Sequence, residues 1–391
     1  MLPAGKNLAA SQSAPPENIQ AAKTAGLRYV SEQTEGICRH RRGKGFFYAD
    51  SSGKKVRDAE TLNRIKSLVI PPAWKDVWIC PDPRGHIQAI GRDQRGRKQY
   101  RYHARWREAR DETKYEHMLD FGKSLPKIRR RVRRDMRQPG LPREKVIAIV
   151  IKLLESTLIR IGNDEYAKAN HSIGLTTMHN KHVEIKAGAI HFEFRGKSGV
   201  EHAIDLQDRR LAKIIKACQD VPGYDLFQYV NGDGTHHAIK SEDINEYLHR
   251  VAGKEFTAKD FRTWAGTVLA AMALQEFERF DSQTQAKRNV VAAIESVAKK
   301  LGNTKAVCRK CYIHPTVLNT YLDGTLVDSL KAQVERQLKS SLHGLRPEEA
   351  AVLALLQERL SRESKTKPPN VSKKSPSSAH QPAIHRKAQP D

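Results

Sequence analysis

The chain predicts an α+β fold: a small strand-rich N-terminal domain precedes a larger, mainly α-helical domain that contains a short three-stranded β meander. Three observations carry that prediction. From about residue 28 to 106, short extended runs alternate apolar and polar side chains between turn residues. After Trp106, apolar positions recur at three and four residues instead. A later segment, LTTMHNKHVEIKAGAIHFEFRGKSGVEHAIDL, returns to alternation inside the helical part.

Taken in order, residues 1–25 are rich in Ala, Ser, Pro and Gln and read as a flexible extension. Residues 26–108 form the strand-rich domain. GKGFFYADSSGKKV turns at Ser-Ser-Gly, and DVWICPDPRGHIQAIGRDQRGRKQYRYH turns at Pro-Arg-Gly and Gln-Arg-Gly. Residues 109–361 form the helical domain. It opens with WREARDETKYEHMLDFGKSL, then PKIRRRVRRDMRQ, then PREKVIAIVIKLLESTLIRIG, read as successive helices. The meander follows, with Gly188 and the Gly196-Lys197-Ser198-Gly199 turn between its strands. Thr257-Ala258-Lys259-Asp260 resembles a capping box, in which Asp260 reaches back to the helix start. The helix over 285–301 is stopped by Gly302. Helices over about 326–340 and 347–360 close the domain. From 362 onward the chain holds almost no large apolar groups and reads as a flexible basic tail.

Composition narrows the function. Lys plus Arg total 69 against 44 Asp plus Glu among 391 residues, a formal charge of +25. Such an excess repels itself unless a polyanion offsets it, which points to nucleic acid bound through counterion release. No apolar run approaches the roughly 20 residues that span a bilayer. The N-terminus lacks the pattern of a secretory signal. Five cysteines at irregular spacing fit reduced thiols in a cytoplasmic protein. No G-x-x-x-x-G-K-[ST] phosphate loop occurs and no acidic cluster suits Mg²⁺, so neither ATP nor a metal is expected.

Breaking a phosphodiester by transfer to a side chain needs a nucleophile, cations that stabilise the pentavalent transition state, and a proton donor for the leaving hydroxyl. Arginine suits the second role because its planar fork grips two phosphate oxygens at once. Arg160, Lys197, Arg262 and Tyr312 could supply these parts. Residue chemistry alone does not select them from 69 cations and 11 tyrosines.

A resemblance does. LIRIGNDEYAKANHSIGLTTMHNKHVEI, FEFRGKSGVEHAIDL, FTAKDFRTWAG and LGNTKAVCRKCYIHP, in that order and spacing, resemble the motifs of type IB DNA topoisomerases, most closely the poxvirus-like bacterial branch. IPPAWKDVWICPDPRGHIQAIGRDQRGRKQYRYH resembles the N-terminal domain of that branch. The resemblance covers about residues 30–340. It implies that Tyr312 attacks the scissile phosphate and becomes linked to the 3′ phosphate. Arg160 and Arg262 would hold the non-bridging oxygens, and Lys197 would protonate the leaving 5′ oxygen. A family position nine residues before the nucleophile normally holds His. Here it is Asn303, whose amide can donate a hydrogen bond but cannot carry a proton. Resealing would need no ATP or metal. The protein would work as a monomer on double-stranded DNA in the bacterial nucleoid, its two domains forming a clamp around the duplex.

The same resemblance implies DNA contacts at Arg97, Gln99, Tyr100, Tyr102 and Lys259. By residue chemistry alone, the two tyrosines could equally pack on their own core. The run over 127–134 is as compatible with a solvated helix face as with phosphate contact. Cys308 and Cys311 are expected to pack around the nucleophile loop, there being no second ligand pair for zinc. His179 and His182, on a predicted strand, would point to opposite faces. Two other functions share the catalytic parts or the charge: a tyrosine recombinase, and a DNA-binding protein that has lost catalysis, toward which only Asn303 leans.

Overall fold

Alternating side chains between Ile37 and Tyr102 build one antiparallel sheet in the computed structural model, which describes residues 16–43, 45–339 and 344–366. The chain divides into two compact units, Met1–Phe121 and Gly122–Asp391. In the first, helix α1 (Pro16–Thr24) leads to β1 (Ile37–Arg42), β2 (Gly45–Ala49), α2 (Ala59–Ser67), β3 (Lys75–Ile79), β4 (Ile87–Arg92) and β5 (Lys98–Tyr102). The strands are ordered β2-β1-β3-β4-β5. Ile37, Ile65, Val77, Ile79 and Ala89 form the core between this sheet and α2.

Two N-terminal expectations need correction. Part of the extension expected to be flexible is helix α1, because Ala22 is buried with Leu27 and Trp106. Residues 1–15 lie outside the described residues. The two helices expected after Trp106 are one, α3 (Ala104–Asp135), which continues through Pro126. Buried Phe121, Leu125, Ile128 and Val132 keep a single apolar stripe across the proline.

The second unit is mainly helical. Helix α4 (Arg143–Thr157) is apolar nearly all round and buried from Val146 to Leu154 except at Lys152, as a central core helix must be. After α5 (Asp164–Asn170) come β6 (Val183–Lys186), β7 (Ala189–Arg195) and β8 (Glu201–Gln207), the expected meander in order β6-β7-β8. Then follow α6 (Arg209–Gln219), the short pair β9 (Gln228–Val230) and β10 (His236–Ala238), and helices α7 (Ser241–Ala252) and α8 (Ala258–Glu276). Helices α9 (Gln283–Leu301), α10 (Lys305–Cys311), α11 (Pro315–Leu322), α12 (Leu326–Lys339) and α13 (Pro347–Thr366) complete it. The chain is thus a mixed helix-and-strand protein with an N-terminal sheet and a helical remainder. Helix α13 extends beyond residue 362; the rest of the expected tail lies outside the described residues. No helix among the described residues is long and apolar enough to cross a membrane.

The basic run 127–134 is not a uniformly solvated face. Arg129 donates to Glu155 of α4 at 2.7 Å and grips both Glu349 oxygens of α13 at 2.7 and 2.8 Å. Arg131 donates to buried Asp135, which also accepts from the Tyr247 hydroxyl. Burial pushes the Glu349 carboxyl up, but the hydrogen bonds and charge of Arg129 hold it below the usual range. Removing one partner of a buried pair strands the other, so Arg129→Ala should cost about 3–5 kcal/mol by denaturant unfolding at neutral pH. Because the folded pKa of Glu349 is depressed, that stabilisation is present above the ordinary glutamate pKa and fades as pH falls through the folded one. The deficit of Arg129→Ala should therefore narrow in acid; a deficit that stays constant would show that Glu349 is not the linked group.

Candidate active site

Arg160 leaves the end of α4 through Leu158, which takes a left-handed conformation (φ 57°). The Arg160 carbonyl accepts from Leu175 N–H, and Ile161 accepts from Thr176. The backbones touch at Gly162 and Gly174: a Cβ on Gly174 would lie 2.5 Å from Gly162 Cα and 2.7 Å from the Arg160 carbonyl oxygen. Glycine at both places lets Arg160 be held from two sides.

Helix α9 stops at Gly302, again left-handed (φ 58°), and Asn303 N–H returns to Ala298 O. That turn aims two acceptors at Arg160, whose Nη2 donates to Gly302 O at 3.1 Å and to Asn303 Oδ1 at 2.5 Å. Arginine can only donate, so the amide must face it oxygen-first. Asn303 Nδ2 is left buried and without a partner among the described residues. It stands as a hydrogen-bond donor beside the guanidinium.

Asp260 Oδ2 accepts from Thr257 N–H at 2.8 Å and fixes the start of α8. Arg262, one turn in, is only 4% exposed. Its Nη2 donates to Leu301 O at 2.6 Å and its Nη1 to Leu158 O. Its guanidinium carbon lies 5.4 Å from the Tyr312 ring centroid. Burial, then the charge of Arg160, push the Arg262 pKa below its ordinary value. Two cations forced together favour an anion.

Tyr312 caps α10, donating its N–H to Cys308 O. Its carbonyl accepts from Thr267 Oγ1 of α8 at 3.1 Å. A Cβ on Gly266 would come within 2.9 Å of that carbonyl, so glycine allows α8 to approach the nucleophile segment. Burial pushes the Cys308 thiol up to about 11, as suits a packing side chain and not a reactive one. Lys197 is exposed at the β7–β8 turn, which Gly196 N–H closes onto Val200 O at 2.8 Å.

These side chains meet at one cleft of about 650 Å³, lined by Arg160, Lys197, Asn303 and Tyr312. Lys299 adds positive charge, and Glu201 is the one carboxylate in the lining among the described residues. Arg262 lies beneath Tyr312. The lining also includes His202 of β8, which residue patterns had not marked. Lys259 is exposed on the first turn of α8 and does not line this cleft.

In the first unit, Tyr100 and Tyr102 are 41% and 37% exposed, so the core-packing alternative fails for them. Their rings stack 5.7 Å apart, with Lys98 Nζ 5.8 Å from the Tyr100 centroid. Arg97 and Gln99 instead grip Asp93, at 2.9 and 3.0 Å. The histidine expectation also needs correction. Asn180–His182 is a 3-10 turn, not a strand, so the His179 and His182 rings sit 5.5 Å apart on one side.

Known proteins resemble this chain over most of its length. Residues 103–352 match the family described as eukaryotic DNA topoisomerase I, catalytic core, and residues 45–93 match the bacterial DNA topoisomerase IB N-terminal domain. DNA topoisomerase 1B of Acanthamoeba polyphaga mimivirus is 33% identical over 294 residues, covering 73% of this chain and 88% of that one. DNA topoisomerase 1B of Vaccinia virus (strain Copenhagen) is 23% identical over 305 residues, covering 73% and 92%. With a family model matching residues 103–352, more than half of the chain, and a 33% identical relative spanning most of both chains, this chain belongs to the type IB DNA topoisomerases.

Proposed function

We propose that the chain relaxes supercoiled duplex DNA by cutting and rejoining one strand through Tyr312. The Tyr312 oxygen attacks the scissile phosphorus, forms a 3′-phosphotyrosyl bond and releases the 5′ oxygen, which takes a proton from Lys197. Arg160 and Arg262 bind the non-bridging oxygens, where negative charge grows in the pentavalent state. Asn303 orients Arg160 and offers its Nδ2–H to the same phosphate. Religation reverses each step, and the bond energy is retained in the phosphotyrosine, so neither ATP nor a metal enters.

The observation that supports this reading is the convergence on one cleft of Arg160, Lys197, Asn303 and Tyr312, with the Arg262 guanidinium 5.4 Å from the phenol ring. The open Tyr100–Tyr102 face of β5, with Lys98 beside it, suits a duplex groove, and Lys259 suits a flanking phosphate. Arg97 and Gln99 would join by exchanging Asp93 for DNA. The protein would act as a monomer, closing its two units around nucleoid DNA as a clamp.

Incubation with supercoiled plasmid in EDTA without ATP tests the reading. Relaxed topoisomers should appear, and denaturant quenching should trap DNA linked to a peptide that contains Tyr312. No relaxation under those conditions, or linkage to another residue, would refute it.

A further inference from the structure

His202 occupies the seam between two parts of the candidate site. On β8 it pairs with Phe194 of β7, and the two rings stack 5.0 Å apart at 18°. The far edge of the imidazole lies where side chains of two glycines would go. A Cβ on Gly196 would lie 2.7 Å from its Cδ2, and one on Gly302 would lie 2.5 Å from its Cε1. Gly196 precedes Lys197, and Gly302 precedes Asn303 and supplies a carbonyl to Arg160. The ring therefore fills the gap between the turn that carries Lys197 and the helix end that orients Arg160. Burial, then Arg160 and Arg262, push its pKa down against the pull of Glu201. A ring so held stays uncharged at neutral pH and can sit beside two guanidiniums without repulsion.

Within the Lys197 turn two backbone bonds, Gly196 N–H to Val200 O and Gly199 N–H to Gly196 O, set its shape, with Ser198 and Gly199 in the left-handed region, and Ile173 N–H donates to Arg195 O at its base. Local bonds fix the shape of a turn but not its distance from α9.

We infer that His202 is a positioning residue: its ring is the spacer that sets the Lys197 turn against the Gly302–Asn303 corner, and so decides whether the Lys197 amine reaches the leaving oxygen. The inference rests on the proposed role of Lys197 as proton donor. A displacement of about 1 Å at a reacting group can cost about 100-fold in rate.

The test is single-turnover cleavage of a duplex at saturating enzyme, with the bridging 5′ oxygen of the scissile phosphate either native or replaced by sulfur. A 5′ thiolate departs without protonation, because thiols are far more acidic than alcohols. His202→Ala should cut the oxygen substrate about 100-fold more slowly, with DNA affinity little changed. It should cut the sulfur substrate near the parental rate, which also shows that the variant is folded. His202→Phe, which refills the seam, should recover about tenfold of the loss. Equal slowing on both substrates, parental cleavage of the oxygen substrate by His202→Ala, or a Phe variant no faster than Ala would each overturn the inference. Lys197→Ala separates the two claims. If sulfur rescues Lys197→Ala but not His202→Ala, the spacer role fails alone. If it rescues neither, the proton-donor role of Lys197 fails, and the spacer role with it.

Discussion

Tyr312→Phe should lower plasmid relaxation by at least about 10⁴-fold, because it removes the one atom that forms the bond to phosphorus. Little else should change. The ring that lies 5.4 Å from the Arg262 guanidinium remains, so the cation–π contact survives. The backbone of residue 312 keeps its bonds to Cys308 and Thr267, which do not depend on the phenol. Duplex binding should stay within about twofold, since phosphate contacts supply most of that affinity. A gel assay for relaxation and a filter assay for binding on one preparation check both halves. Relaxation at the parental level would remove Tyr312 from the chemistry. Binding that vanished with relaxation would show that the substitution had disrupted the fold instead.

Arg262→Lys should slow strand cleavage by about 10²–10³-fold despite conserving the charge, the range seen when one fixed donor to a developing oxyanion is lost. The guanidinium donates at once to Leu158 O and Leu301 O and lies 5.4 Å from the Tyr312 ring centroid. It thereby ties the end of α4, the end of α9 and the nucleophile to α8. An ammonium has three donors but no planar fork, and it cannot span two carbonyls while presenting paired N–H groups to phosphate. Leaving one carbonyl without its donor should also lower stability by about 1–3 kcal/mol. Single-turnover cleavage and thermal unfolding together check this, and a lysine variant that cleaves at the parental rate would reduce Arg262 to a source of charge. The two substitutions should differ in kind: the tyrosine change removes chemistry and leaves stability nearly intact, whereas the arginine change weakens both.

Much of the local architecture was legible from residue order. Asp260 three residues after Thr257 announced the start of α8, and Gly302 announced the end of α9. Alternation around Gly188 and Gly196 announced the meander. Each is a signal between residues within about four positions of one another, the range over which capping and turn chemistry act. The same local rules misread the chain where distant packing decided the outcome. Trp106 recruits α1 into the first unit, and a continuous apolar stripe carries α3 through Pro126. A 3-10 turn, which alternation cannot reveal, brings His179 and His182 together.

What the sequence by itself determined about this protein is its charge, its element types, and the order of motifs that marks the family. Only the tertiary structure decided that Arg160 meets Asn303, 143 positions away, and that Arg262 reaches Leu158, 104 positions away. It alone put His202 in the seam beside Lys197. Local propensity depends on neighbours in the chain, but the geometry around a bound phosphate would depend on which helix ends the core forces together. That choice is made by the packing of α4, α8 and α9, whose buried faces are mainly apolar, with Arg262, Thr263 and Thr267 of α8 buried among them.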